Sequence, residues 1–148
     1  MNVKEYFVKI EKIAAEDKAA ACAELVKTIH DGTDLPENAL NMLMDKLEEI
    51  LVDGTPVYAS VTQEGEGSAN FHYIEDANGG KWIYALLSEA ELSNINETSL
   101  FTRVGFLTLI DLLIAADNNC GIELIASADK SLTAPPAYIK DLADRIIR

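Results

Sequence analysis

Between Val3 and Ile29 the apolar residues Val3, Phe7, Ile10, Ala14, Ala21, Leu25 and Ile29 recur at spacings of three, four or seven. Those spacings put them on one face of a helix. Lysines and glutamates fill the other side, and Asp31-Gly32 supplies a glycine of the kind that closes helices in the left-handed conformation. The alanines of EDKAAA weaken the stripe and mark a place where this helix can break. Asp34 and Glu37 then stand at capping-box spacing, with Pro36 in the first turn, where a missing N–H costs little. A second helix is expected from there, with Leu40, Leu43, Met44, Leu47, Ile50 and Leu51 as its buried stripe and Asp45, Glu48 and Glu49 turned to water. Asp53-Gly54 and Pro56 end it. The two helices should pack as a hairpin or cover one face of a sheet. A partner groove between them is the functional alternative, and core packing is the commoner use of such stripes.

After Pro56 the period changes from helical to alternating. PVYASVTQ reads as a first strand and EGEGSA as an acidic turn. SANFHYIED and KWIYALLS flank Ala77-Asn78-Gly79-Gly80, a connection of hairpin length whose residues tolerate positive φ. In KWIYALLS, Trp82, Tyr84 and Leu86 point one way and Ile83, Ala85 and Leu87 the other. A strand apolar on both faces should be central. Ser88 and Glu91 repeat the capping-box spacing, so SEAELSN is expected to form a short helix, followed by the polar loop NINETS. FTRVGF reads as a short strand that enters a helix at about Phe106 or Thr108. From Leu107 to Ala116 only Thr108 and Asp111 are polar, the pattern of a helix buried on nearly all sides. Asp117-Asn118-Asn119-Cys120-Gly121 stops it, GIELIAS returns as a strand, and a last helix begins after Pro135-Pro136 with Ile139, Leu142, Ala143 and Ile146 inward. No internal repeat surrounds the two Asp-Gly-Thr triplets.

These elements predict an α+β fold. A mixed or antiparallel sheet of about four or five strands is accompanied by an N-terminal helical pair, a buried helix and a C-terminal helix. One domain should span residues 1–148, with a helical segment over 1–53 and an α+β body over 56–148. A chain of this length buries roughly 70% of its unfolded surface, enough for one core without disulfide or metal.

Charge narrows the partners. With 12 basic and 25 acidic residues the formal charge is −13, so a phosphate backbone or an anionic membrane would be repelled over most of the surface. The charge itself reads as serving solubility ahead of a dedicated basic partner, and a protein partner is the expected kind. Cys22 and Cys120 are the two cysteines and do not make a disulfide framework, which fits a reducing compartment. The opening MNVKEYFVKIEK is amphipathic, without the apolar core of a signal peptide, and the apolar run near Phe106 is too short to span a bilayer. The expected location is the cytoplasm.

Candidate chemistry is sparse. No phosphate-binding glycine loop, G-x-S-x-G elbow, Cys-x-x-Cys or His-Glu-x-x-His motif occurs, so no cofactor, metal site or catalytic residue is predicted. His30, near a helix end, suits a role at the terminal carbonyls. His72 and Glu75 would fall on opposite faces of a strand, and His72 and Asp76 too far apart along it, for an acid/base pair. Lys81 and Arg103 are the basic residues between Lys46 and Lys130 and could mark an anion or carboxylate site. For Arg103, which follows a loop containing Glu97, a structural ion pair is the commoner explanation. Glu89 and Glu91 read as favourable charges in a helix's first turn. Trp82 and Tyr84 form either a ligand platform or, as expected for an apolar strand, part of the core. The binding candidates are therefore Glu89, Glu91, Glu97 and Arg103.

The succession YALLSEAEL, TRVGFLTLIDLLIAADNNCGIELIAS and a Pro-started terminal helix resembles the N-terminal domain of the enhanced serine-sensitivity (SseB) family, over roughly Pro56 to Ile147. That family shows a strand ending in a Ser-Glu-Glu helix start, a short strand leading to a Leu-Leu helix, and a Gly-Ile-hydrophobic strand. The family strand runs into an Asn-Pro pair where this chain has Ala126-Ser127-Ala128, which leaves any role tied to that pair without its residues. The resemblance implies a small α+β domain and transfers no catalytic residue. The leading expectation is a non-enzymatic protein-interaction or regulatory domain. A small acidic chaperone of the bacterial secretion type, binding a client segment, is the second. An enzyme whose site is assembled only by the fold is the third. Oligomeric state stays open, a homodimer included. The polar stretch from Ser88 to Arg103 is where a recognition surface is first expected.

Overall fold

The computed structural model describes residues 3–32, 37–63, 69–71, 73–88, 100–116, 119–127 and 129–146. Three helices open the chain: α1 (Val3–Glu16), α2 (Lys18–Asp31) and α3 (Glu37–Val52). The single long helix expected from Val3 to Ile29 is divided within EDKAAA. Asp17 takes extended backbone angles, φ −156° and ψ 103°, and its carboxylate accepts the Ala20 N–H, which makes it the N-cap of α2. The expected N-terminal pair is thus a trio. Packing of α1 on α2 and of α2 on α3 buries Ile10, Ala21, Cys22, Leu25, Val26, Leu43 and Leu47.

The helix-to-strand joint is built on Thr55, which is fully buried. Its hydroxyl donates to the Ile50 carbonyl at 2.6 Å, and its own carbonyl accepts the Phe106 N–H at 2.9 Å. Gly54 beside it has φ +85°, a left-handed turn that glycine enters without strain. One residue thereby ties the end of α3 to the first strand and to the start of a later helix.

The strands are β1 (Pro56–Gln63), β2 (Ala69–Phe71), β3 (Ile74–Glu75), β4 (Lys81–Leu86), β5 (Leu100–Gly105), β6 (Cys120–Ser127) and β7 (Lys130–Ala134), with α4 (Phe106–Ala116) before β6 and α5 (Pro136–Ile146) after β7. They form one mixed sheet. Tyr58 pairs with both Arg103 of β5 and Leu86 of β4, so these strands lie on opposite sides of β1. Beyond Ala59, β1 and β4 diverge, and the two short strands fill the fork: β2 pairs with β1, and β3 with β4. On its other side β4 runs parallel to β6, which pairs antiparallel with β7. The lateral order is β5, β1, β4, β6, β7, which makes β4 central as its two-sided apolar pattern predicts.

The expected hairpin is present at Ile74↔Trp82 and Glu75↔Lys81. Asp76 organises its turn: the Asp76 and Gly80 backbones bond at 2.9 Å, and the Asp76 carboxylate accepts the N–H groups of Asn78 and Gly80 and the indole N–H of Trp82 at 2.8 Å. These bonds, the Trp82 one foremost, hold the Asp76 pKa below its ordinary value. The helix expected at SEAELSN, the loop NINETS, the capping box at Asp34 and the turn within EGEGSA lie outside the described residues. The β7 strand has no counterpart among the expected elements.

Among the described residues, the helices pack on one face of the sheet. One buried cluster joins Val57, Ala59, Ile83, Ala85, Leu87, Ile122, Leu124 and Ala134 from the strands to side chains of α1, α2, α3, α4 and α5. Each large aliphatic side chain in it contributes about 1.5–3 kcal/mol. The expectation that α4 is buried on nearly all sides is corrected. Phe106, Leu109, Ile110 and Leu113 face the core, but Leu112 is 46% and Ile114 39% exposed. The helix meets α3, α5, β1 and β5, and its high apolar content exceeds what the fold covers. Ile139 and Leu142 of α5 are buried as its spacing predicts.

Candidate interaction surfaces

The residues singled out in the sequence separate on folding. Glu89, Glu91, Glu97 and His72 lie outside the described residues. Arg103 is exposed on β5, directly across from Tyr58. Among the described residues it has no carboxylate within ion-pair distance. It lines a crevice of about 520 Å³ at the ends of β4 and β6, together with Lys27, Tyr58, Ser88, Asp17 and Glu24. Both of those carboxylates have bonds of their own: Asp17 caps α2, and Glu24 meets Lys9 at 3.5 Å.

Lys81 lies over the Tyr73 ring, 5.9 Å from its centroid, a cation–π contact on the helix-covered side. His30 does not cap its own helix. Its Nδ1 lies 3.0 Å from the Ser131 carbonyl, and with Lys130–Asp31 at 2.7 Å it tethers the end of α2 to β7. Trp82 and Tyr84, expected in the core, are not part of the cluster that the strands share with the helices. Both are half-buried on the opposite face of the sheet, where the Trp82 ring lies so close over Gly121 that a Cβ there would sit 2.4 Å from it.

The two thiols do not offer nucleophilic chemistry. Cys22 and Cys120 are both free and buried, and burial pushes them up to about 12 and about 11 respectively, far from the thiolate range of reactive cysteines. Among the described residues no three His, Cys, Asp or Glu side chains converge in a way that could hold a metal ion, and no helix is long and apolar enough to cross a membrane.

A second hollow, of about 370 Å³, is mostly apolar. It runs along the flank of α3 that looks toward β7 and α5, with Met44, Leu47 and Leu51 on one side and Leu132, Ala134, Pro135 and Tyr138 on the other, floored by Phe106 and Leu124. Met44 was expected to be buried and is instead 50% exposed at its mouth. The cause is geometric: a stripe of Leu40, Leu43, Met44, Leu47, Ile50 and Leu51 is wider than the contact α3 makes with α2, so its outer edge overhangs. The groove between the first helices that the stripes allowed is filled by core, and the open one lies on the other flank of α3.

The end of this groove is fixed electrostatically. Tyr138 donates its hydroxyl to Glu48 at 2.6 Å, and Arg145 reaches both Glu48 oxygens at 2.9 and 3.1 Å while also holding Asp141 at 2.8 Å. The guanidinium, first, and the phenol lower the Glu48 pKa, whereas burial and the carboxylate raise that of Tyr138. Glu48 was expected to face water. It joins α3 to α5, and Asp45 remains exposed on the rim. Sequence spacing could not find this site, because Met44 on α3 lies far along the chain from Leu132 and Tyr138, which sit on the consecutive elements β7 and α5. No protein-family model, curated protein or solved structure matches the chain.

Proposed function

We propose that this chain is a non-enzymatic protein-interaction or regulatory domain, in keeping with its resemblance to the SseB N-terminal domain, and that it docks a segment of a partner protein in the groove between α3, β7 and α5. The observation that carries the reading is the apolar lining of that groove with the half-exposed Met44 at its mouth. A thioether side chain adapts to varied apolar shapes, and such grooves take peptide segments through a few apolar anchors. The occupant is set by charge. The protein carries −13 and the exposed Asp45 stands on the rim, while Glu48 is held by Arg145, so the favoured segment has apolar anchors flanked by lysine or arginine.

A photo-crosslinking side chain placed at position 44 tests this in the native cell, with the same side chain at Lys4 on α1 as control. The expected result is a discrete protein adduct from position 44 that is lost when Leu132→Glu is added. Equal adducts from both positions would count against the reading.

A further inference from the structure

The turn between β3 and β4 carries a chemistry that neither the groove nor the core uses. Asn78-Gly79 is the only Asn-Gly pair in the chain. It sits at the tip of the hairpin, where Ala77, Asn78 and Gly79 are all exposed. Among the described residues the Asn78 side-chain amide has no hydrogen-bond partner, so nothing holds it away from the main chain. Gly79 has φ +80°, and nothing lies within 4 Å of where its Cβ would stand. The approach to its backbone nitrogen is therefore unobstructed.

An asparagine side chain in this setting is an electrophile. Its Cγ can close a five-membered ring with the next backbone nitrogen, and glycine, having no side chain, hinders that closure least. As the Gly79 nitrogen bonds to Asn78 Cγ, the Cγ–Nδ2 bond breaks, and Nδ2 leaves as ammonia with the Gly79 amide proton. Water then opens the succinimide. Attack at the side-chain carbonyl gives aspartate, whereas attack at the backbone carbonyl gives isoaspartate, whose main chain runs through the side-chain carbons and is longer by one atom. The net change takes up one water, releases one ammonia and needs no oxidant or cofactor.

The rate depends on how firmly the nitrogen is held. Gly79 donates its N–H to the Asp76 carbonyl at 3.1 Å, and ring closure must break this bond. The Asp76 carboxylate stiffens the same turn by accepting the N–H groups of Asn78 and Gly80, each at 2.9 Å. A Cβ at Gly80 would stand 2.8 Å from that carboxylate, so the turn is closed tightly around it. All of these bonds lie at an exposed tip, where local opening costs far less than global unfolding. We propose that Asn78 is a site of spontaneous conversion to isoaspartate in the folded protein, and that Asp76 governs its rate by holding the turn shut.

Conversion reaches beyond the tip. It adds a negative charge beside Asp76 in a chain already at −13. The longer main chain also breaks the spacing by which Asp76 reaches both Gly80 and the Trp82 indole, which is anchored to it at 2.8 Å on the central strand. The groove beside α3 takes no part, so this inference does not depend on the docking reading above, nor that reading on it.

Peptide mapping by mass spectrometry tests the site, on the full chain held at neutral pH and body temperature for several weeks, with the chain in urea as the unfolded reference. Isoaspartate should accumulate at position 78 while Asn41, exposed on α3, stays intact. Conversion should be slower in the folded protein than in urea. Asp76→Ala should speed it in the folded protein about fivefold or more, the effect of losing about one net hydrogen bond. Asp76→Asn keeps the side-chain shape should the alanine variant disturb the hairpin, and it too should speed conversion. Emission from Trp82, the only tryptophan, should shift in step with the product. A folded protein without isoaspartate at 78 when the urea sample is fully converted, equal rates in buffer and urea, or Asp76 variants no faster than wild type would each overturn the proposal.

Discussion

Gly121 shows how tightly single positions are specified. A Cβ at this residue would stand 2.4 Å from Trp82 Cζ3 and 2.8 Å from the Ala134 carbonyl oxygen, so Gly121→Ala must displace either the indole ring or the backbone of β7. Overpacking of this kind costs about 1–3 kcal/mol. Because Trp82 is the only tryptophan, urea unfolding followed by its fluorescence checks both effects at once: a lower midpoint and an altered native spectrum are expected. Sequence alone placed Trp82 on a central strand but assigned it to the core. The alternation of KWIYALLS makes both of its faces apolar and does not say which one the helices cover. Arg103 was likewise visible as an isolated cation. That it stands without a carboxylate among the described residues depends on register, which places it across from Tyr58 and not across from an acid.

Elements with strong periodicity were legible, and those defined by their neighbours were not. The stripes of α3 and α5 and the alternation of β1, β4 and β6 carry their own signal. In β7, KSLTA has only Leu132 and Ala134 as apolar residues, so its strand character comes from pairing with β6. The break at Asp17 was marked by weak alanines, but the cap that decides it is a hydrogen bond. The junction of α3 with α5 has a pH signature that follows from Glu48. Its folded pKa is lowered, so its contribution is complete above the unfolded glutamate value of about 4.3 and is lost as pH falls through the lower folded value. The stability difference between wild type and Glu48→Gln, measured by urea denaturation, should shrink as pH is lowered from about 6 to about 3. A difference that stays constant over that range would mean the carboxylate does not hold α5 in place.

As a whole the molecule has two dissimilar sides. Among the described residues, one carries the helix layer and the apolar groove with Asp45 on its rim, and the other presents Tyr58, Trp82 and Tyr84 from the strands. A net charge of −13 favours a basic partner. The proposed docking groove lies on the flank of α3 facing β7. The methionines provide a direct test, since Met42 and Met44 are both about half exposed, at 47% and 50%, but point some 200° apart around the helix. With ¹³C-methyl methionine, titration with an amphipathic peptide bearing leucines at helical spacing and flanking lysines should shift the Met44 methyl signal and leave Met42 in place, and Leu132→Glu should abolish the shift. Equal shifts at both methyls, or a Met44 signal that stays put at saturating peptide, would contradict the account.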